Sequence, residues 1–269
     1  MASTGGLVRP VLRGVALLYL TFLLVIPVAL IFIRTFENGV GPVIDGLTSP
    51  ATLHAFQITA VVAFYAVVAN TVFGIAAAIL LVRHDFPGKR VLNALIDLPL
   101  AVSPVIVGLA LILVYGSTTG IGQGLAAVGI KVIFSIPGMV MATVFVCIPL
   151  VVRAVAPVLE EIGDDQEQAA MTLGAGPVQT FLRITLPSIR GALAYGVVLA
   201  LARSLGEYGA VAVVSGRLVG RTQTVTLLVQ ERYLNFDQET AYACALLLVV
   251  TAVVALIISR ALAPKEIVR

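Results

Sequence analysis

Arg203 and Glu207 stand four residues apart inside an apolar run, 190–214, long enough to cross a bilayer. At one helical turn's spacing their side chains share a face. A charged group in hydrocarbon costs about 2.5–3.5 kcal/mol on insertion scales, so such groups face a bundle interior and pair. Two roles stay open for the pair: a self-neutralising link that fixes helix packing, or a lining or gate on a route through the membrane. Gly206 and Gly209 flank Glu207 and would let a neighbouring backbone approach closely. Ser103 and Pro104, in the run 95–115, form a second candidate for the pathway. A proline leaves one upstream carbonyl without its helical partner, and Ser103 adds a hydroxyl at that point. A kinked, packed helix is the alternative. Asn70, Asn93 and Asp97 read as interfacial or interhelical hydrogen-bonding groups.

No reactive centre can be assembled from the remaining residues. Cys147 and Cys244 each lie alone in an apolar run, without a C-x-x-C or a histidine at ligand spacing, and read as small core residues. His54 sits at the edge of an apolar run and His84 in a basic segment, neither with a metal-ligand partner. There is no Ser-His-Asp set and no pair of carboxylates beside an obvious cleft. The phosphate-cradling G-x-x-x-x-G-K-[ST] is absent, so the chain does not use ATP through a P-loop of its own. The G-x-G-x-G stretch at 120–124 neither follows a strand nor opens a βαβ unit, and reads as a flexible outside loop. The expectation is a chain that is not an enzyme and binds no cofactor, metal or nucleic acid itself.

The elements that must position these residues are set by composition. Of 269 residues, 59% are hydrophobic and 12% charged, and the mean hydropathy is +1.07; a soluble domain would carry roughly 25% charged residues. Lipid is the main solvent. Hydrocarbon about 30 Å thick needs about 20 apolar residues in a helix, and six segments meet that length: 12–33, 54–82, 95–115, 133–156, 190–214 and 241–262. They are continuously apolar rather than alternating, which selects helices over a barrel. The first is too long for a signal-peptide core of about 7–15 residues and reads as a retained span. The fold expected is an all-α integral membrane protein, a single domain over residues 1–269.

Basic residues orient it. Arg9, Arg13, Arg83, Lys89, Arg90, Arg153, Arg183, Arg190, Arg260, Lys265 and Arg269 fall on one side, against Arg34, Lys131, Arg217, Arg221 and Arg232 on the other. The positive-inside rule then puts both termini and the connection 157–189 in the cytoplasm. That connection is the sizeable polar segment. Asp164 or Asp165 can cap a short helix with acidic residues in its first turn. Ala169, Ala170 and Leu173 line one apolar face of it, Gly174 can end it in a left-handed conformation, and Pro177 can open a second helix through Phe181, Leu182 and Ile184. The expected result is two short helices at a sharp elbow, a docking surface or a linker lying on the membrane.

Gln168-Ala169-Ala170, three residues, Gly174, nine residues, then Ile184-Thr185-Leu186-Pro187 resembles the EAA loop of bacterial binding-protein-dependent ABC importers. That resemblance implies a type I importer permease-like bundle of six transmembrane helices. Its cytoplasmic coupling helices would fit a groove on a separate ATPase subunit, with Glu167, Gln168, Ala169, Ala170, Leu173, Gly174 and Ala175 as the coupling residues. The family's Glu is Gln168 here, with Glu167 just before it, so an ion pair attributed to that Glu has lost its charge. The stretches Leu98–Gly108 and Arg203–Ala210 resemble sulfate and molybdate permeases, and 135–140, 149–153 and 213–216 resemble W-type sulfate/thiosulfate permease subunits. The resemblance implies a heterodimer with a T-type permease, two ATPase subunits holding ATP and Mg, and an external sulfate-binding protein. The binding protein would be received near 36–53, 116–132 and 215–240. It implies a multi-pass protein in lipid, in the bacterial cytoplasmic (inner) membrane, importing sulfate, with thiosulfate left open as a second cargo. A molybdate or tungstate permease, normally a homodimer, and a secondary anion transporter are the alternatives.

Overall fold

Spanning helices leave no backbone group unpaired in lipid, and helix is the regular structure throughout the described residues. The computed structural model describes residues 5–262; Lys265 and Arg269 of the basic set lie outside them. In chain order the helices are α1 (Gly5–Leu20), α2 (Ile26–Phe36), α3 (Val40–Thr48), α4 (Pro50–Arg83), α5 (Lys89–Ala101), α6 (Pro104–Tyr115) and α7 (Gly120–Ala127). Then come α8 (Ile136–Ile162), α9 (Asp165–Thr172), α10 (Pro177–Thr180), α11 (Leu186–Leu205), α12 (Gly209–Val214), α13 (Val225–Leu234) and α14 (Gln238–Leu262). Wide π-turns at Thr21–Val25 and Phe181–Thr185 join α1 to α2 and α10 to α11 without a break.

Five continuous helices are long and apolar enough to cross a membrane: Val11–Phe36, Pro50–Arg83, Ile136–Ile162, Pro177–Leu205 and Gln238–Leu262. α5 and α6 make a sixth only as a pair bent by 114°. The expected span 95–115 is therefore broken. Its chain leaves the helical region at Val102 and Ser103, because Pro104 disfavours helical geometry in the residue before it, and Pro104 itself starts α6. The expected span 190–214 is corrected more substantially. Its helix starts at Pro177 and stops at Leu205, since Gly206 and Gly209 are poor helix formers and Glu207 offers a side-chain acceptor in place of the helical ladder.

The expected polar connection 157–189 shrinks accordingly. Residues up to Ile162 continue α8 through Pro149 and Pro157, and the second arm of the elbow is the first turn of a spanning helix rather than a separate short one. The expected outside loops also contain helices. α7 occupies the glycine-rich stretch where a flexible loop was expected, and α13 buries Val225, Leu227 and Leu228.

Both π-turns sit immediately before an X-Pro pair. Ile26 N–H bonds to Thr21 C=O and Leu186 N–H to Phe181 C=O, one residue farther back than an α-helix would use. A proline ring clashes with the carbonyl four residues upstream, and the wider turn displaces that carbonyl while Pro27 and Pro187 continue the helix.

α4, α8 and α11 form the centre. Ala77, Ala78, Leu81, Val151, Val155, Leu159, Ile189 and Ala200 make one buried cluster, and Ile58, Val62, Met139, Ala142, Ala210, Val211 and Val214 a second. Small residues let these helices touch, as expected where lipid supplies no hydrophobic drive between them. A Cβ on Gly74 would lie 2.6 Å from Val151, and one on Gly196 would lie 2.9 Å from Ala154. Cys147 and Cys244 are free and buried, as their settings suggested.

Candidate functional site

The elbow is built by α9 and the turn that follows it. Asp165 and Glu167 in its first turn favour the positive end of the helix. Asp164 occupies the N-cap position, but its carboxylate accepts from Gln168 Nε2 at 2.8 Å instead of from a backbone N–H. At the other end Gly174 has φ +88°. Its N–H bonds to Met171 C=O at 3.0 Å and Ala175 N–H to Ala170 C=O at 3.0 Å, the paired bonds of a Schellman ending. Gly176 is extended and Pro177 starts the next helix. The elbow so formed leaves Met171, Leu173, Val178 and Leu182 exposed, Leu173 at 88%. Ala169 is also exposed, while Ala170 and Ala175 are half-buried. No residue of α9 is buried.

Glu167 points the other way. Its Oε2 lies 2.9 Å from Arg83 Nε, with the two side chains only 15% and 13% exposed, and its Oε1 accepts from Thr185 Oγ1 at 2.7 Å. Arg83, the last residue of α4, commits its other nitrogens too. Nη1 donates to Leu159 C=O at 2.9 Å and Nη2 to Gly163 C=O at 2.6 Å. Leu159 is in the last turn of α8, where carbonyls lack helical partners. One planar guanidinium thus joins the end of α4, the end of α8 and α9, and Glu167 extends the connection to the start of α11. A cavity of about 340 Å³ lies beside this junction, lined by Ile79, Arg83, Glu167, Met171, Phe181 and Thr185, among others.

The two broken spans meet each other. A Cβ on Gly209 would lie 3.0 Å from Pro104, and one on Gly108 would lie 2.7 Å from Val213 and 2.9 Å from Ala210 C=O. The close approach expected near Glu207 is thus real at Gly209. At Gly206 the nearest atom would be 3.8 Å away, so that glycine is not required by packing. Arg203 Nη1 and Glu207 Oε2 are 2.8 Å apart, although the helix ends between them; Glu207 is 1% exposed and Arg203 41%. Glu207 Oε1 accepts from Ala210 N–H at 3.0 Å at the start of α12, and Glu207 C=O accepts from Thr226 Oγ1 at 2.9 Å. The acid is fixed in place while its partner reaches the surface of the chain. Ser103 precedes α6 without a side-chain capping bond and is exposed.

A scan against family models matches residues 70–268 to the binding-protein-dependent transport system inner membrane component family. The chain belongs to that family. The matched region holds the elbow, Arg83 and both broken spans of this permease component. It is 45% identical to the sulfate transport system permease protein CysW of Synechocystis sp., over 95% of this chain and 92% of that protein. It is 38% identical to the permease protein CysT of Salmonella typhimurium, over 86% and 84% of the two chains. Its fold is similar to that of a bacterial ABC transporter involved in import of the acidic polysaccharide alginate, with a TM-score of 0.75 at 17% identity, covering 95% and 93% of the two chains.

Sequence reasoning missed two things in this permease component. Arg83 figured there only as a charge that orients the chain; its position at the last turn of an apolar run was the available signal. α13 was missed because its first turn is held by tertiary bonds, Val225 N–H donating to Thr59 Oγ1 at 2.9 Å and Thr226 to the Glu207 carbonyl. Of the three expected hydrogen-bonding groups, Asn93 and Asp97 do bond between helices, whereas Asn70, fully buried in α4, has no hydrogen-bond partner for either side-chain atom among the described residues. Arg153, inside α8 rather than in a connection, donates to both Asp97 oxygens at 2.8 and 2.5 Å and to Asn93 Oδ1 at 2.9 Å.

Proposed function

We propose that this chain is the W-type permease subunit of an ATP-driven importer that carries sulfate, and thiosulfate with it, across the cytoplasmic membrane with both termini inside. The observation that carries the reading is the elbow: an exposed apolar bend around Gly174, held to the bundle by Glu167. A surface of that kind suits the groove of a separate ATPase subunit, where ATP and Mg would be held. The names of the CysW and CysT relatives support sulfate as cargo and a T-type permease as the second half of a heterodimer, and the family's description supports an external binding protein. Nucleotide binding at two ATPase subunits would move the elbows and bias the permease pair between two arrangements, one open to each side. Glu167, Gln168, Ala169, Ala170, Leu173, Gly174 and Ala175 are the coupling segment. Ser103, Pro104, Arg203 and Glu207, on two broken spans in contact, are the proposed pathway or gate.

The test is reconstitution of the chain with its co-purifying subunits in vesicles, reading radiolabelled sulfate uptake with and without ATP. Uptake that needs ATP and falls with excess thiosulfate is expected. Uptake driven by an ion gradient without an ATPase would make the protein a secondary transporter. Preference for molybdate by a homodimer of this chain would overturn the cargo and the pairing.

A further inference from the structure

We propose that Arg83 is the positioning residue that transmits movement of the elbow to the spanning helices. The inference rests on the elbow's being the ATPase-docking element. α9 has no buried residue, so core packing does not hold it, and a cavity of about 340 Å³ separates part of it from the end of α4. A helix placed like that could rock without moving the bundle. Its inward tie is Glu167, both of whose oxygens are engaged, one by Arg83 and one by Thr185.

The geometry of Arg83 then decides where a push on α9 goes. Its three nitrogens donate in one plane to α9, to the last turn of α8 and to the Gly163 turn between them. A guanidinium fork holds such acceptors at fixed angles, whereas a lysine ammonium is a single flexible point charge. Displacing Glu167 therefore displaces the ends of α4 and α8 together, and through Thr185 the π-turn at the base of α11. Those are the three helices that make the centre of the bundle. The charge that Gln168 lacks at the family's position is thus found one residue earlier, and it is used within the chain.

The experiment is made on the reconstituted complex with its ATPase, measuring three quantities: ATPase co-purification, ATP hydrolysis, and sulfate imported per ATP. Arg83→Gln should leave co-purification and hydrolysis near normal while sulfate imported per ATP falls about tenfold or more, and Glu167→Gln, on the docking segment itself, should lower the same ratio at least as far. Arg83→Lys should fall less. The double variant Arg83→Gln/Glu167→Gln should be no worse than either single one, as for two residues of one link. Thr185→Val, which keeps shape and removes only the hydroxyl, serves if the charge variants do not accumulate, and should lower the same ratio more mildly. An unchanged ratio in all these variants would overturn the proposal, as would a proportional loss of hydrolysis and uptake, which marks a merely structural role. Leu173→Glu separates the two ideas: if the ATPase still co-purifies with that variant, the docking reading itself has failed.

Discussion

Gly174 offers the most direct quantitative test of the elbow. At φ +88° it lies in the left-handed region, and a Cβ built there meets nothing within 4 Å. Substitution by alanine therefore adds no clash in the isolated chain, and its cost is backbone strain alone, about 1–2 kcal/mol for an L-residue. That lowers the ratio of bent to unbent elbow by about 5- to 30-fold. Gly176, two residues on, is an internal control. It also meets nothing within 4 Å, but its φ of −73° suits any residue. In the reconstituted complex, ATPase affinity and ATP-driven sulfate uptake should rank wild type and Gly176→Ala together. Gly174→Asn should come next, because asparagine tolerates this conformation, then Gly174→Ala, and last Gly174→Val, whose branched side chain tolerates it worst. Uptake by Gly174→Val equal to that of Gly176→Ala would refute the idea that the bend at this residue carries the coupling.

Arg203→Gln, with Glu207 intact, leaves a carboxylate 1% exposed without its cation and should strongly impair uptake; normal uptake at normal membrane abundance would remove any role for the charge. Gly108→Ala places a Cβ 2.7 Å from Val213 and 2.9 Å from a backbone oxygen and should destabilise by about 1–3 kcal/mol, the range for overpacking, read as a lower melting temperature. Gly124→Ala, where nothing lies within 4 Å, should be silent, and equal behaviour of the two would refute the close contact of the broken spans. The hydrogen bond from Lys89, and then its charge, lower the Asp85 pKa below the ordinary carboxylate value. A depressed acid contributes above its unfolded pKa and loses the contribution as pH falls through the folded one. Melting curves of wild type and Asp85→Asn should therefore converge in acid, and a gap that widens as pH falls would contradict the pairing.

The spans were legible in the sequence because length and hydropathy are local properties; Pro50–Arg83 and Gln238–Leu262 lie within four residues of their expected bounds at each end. The breaks were less legible. Hydropathy treats Gly206, Tyr208 and Gly209 as part of an apolar run, whereas the backbone there answers to glycine content and to the Glu207 carboxylate bonding to Ala210. The ending of α9 at Gly174 was readable because one residue type dominates that conformation. The junction at Arg83 was not, since its partners Leu159, Gly163 and Glu167 are 76 to 84 residues away and two of them contribute only a carbonyl. Charge patterning showed that Arg83 was basic and near an interface. Only tertiary structure showed what its three donors reach.

The wide turn at Phe181–Thr185 also sets the direction in which the elbow faces. It accommodates one residue more than a regular helix would use over the same stretch, and each residue of α-helix turns the chain by about 100° and advances it about 1.5 Å. Removing a single residue there would regularise the helix and swing α9, with Glu167 on it, about a quarter-turn away from Arg83. The azimuth of the protrusion relative to the bundle is thus encoded in one surplus residue beside Pro187.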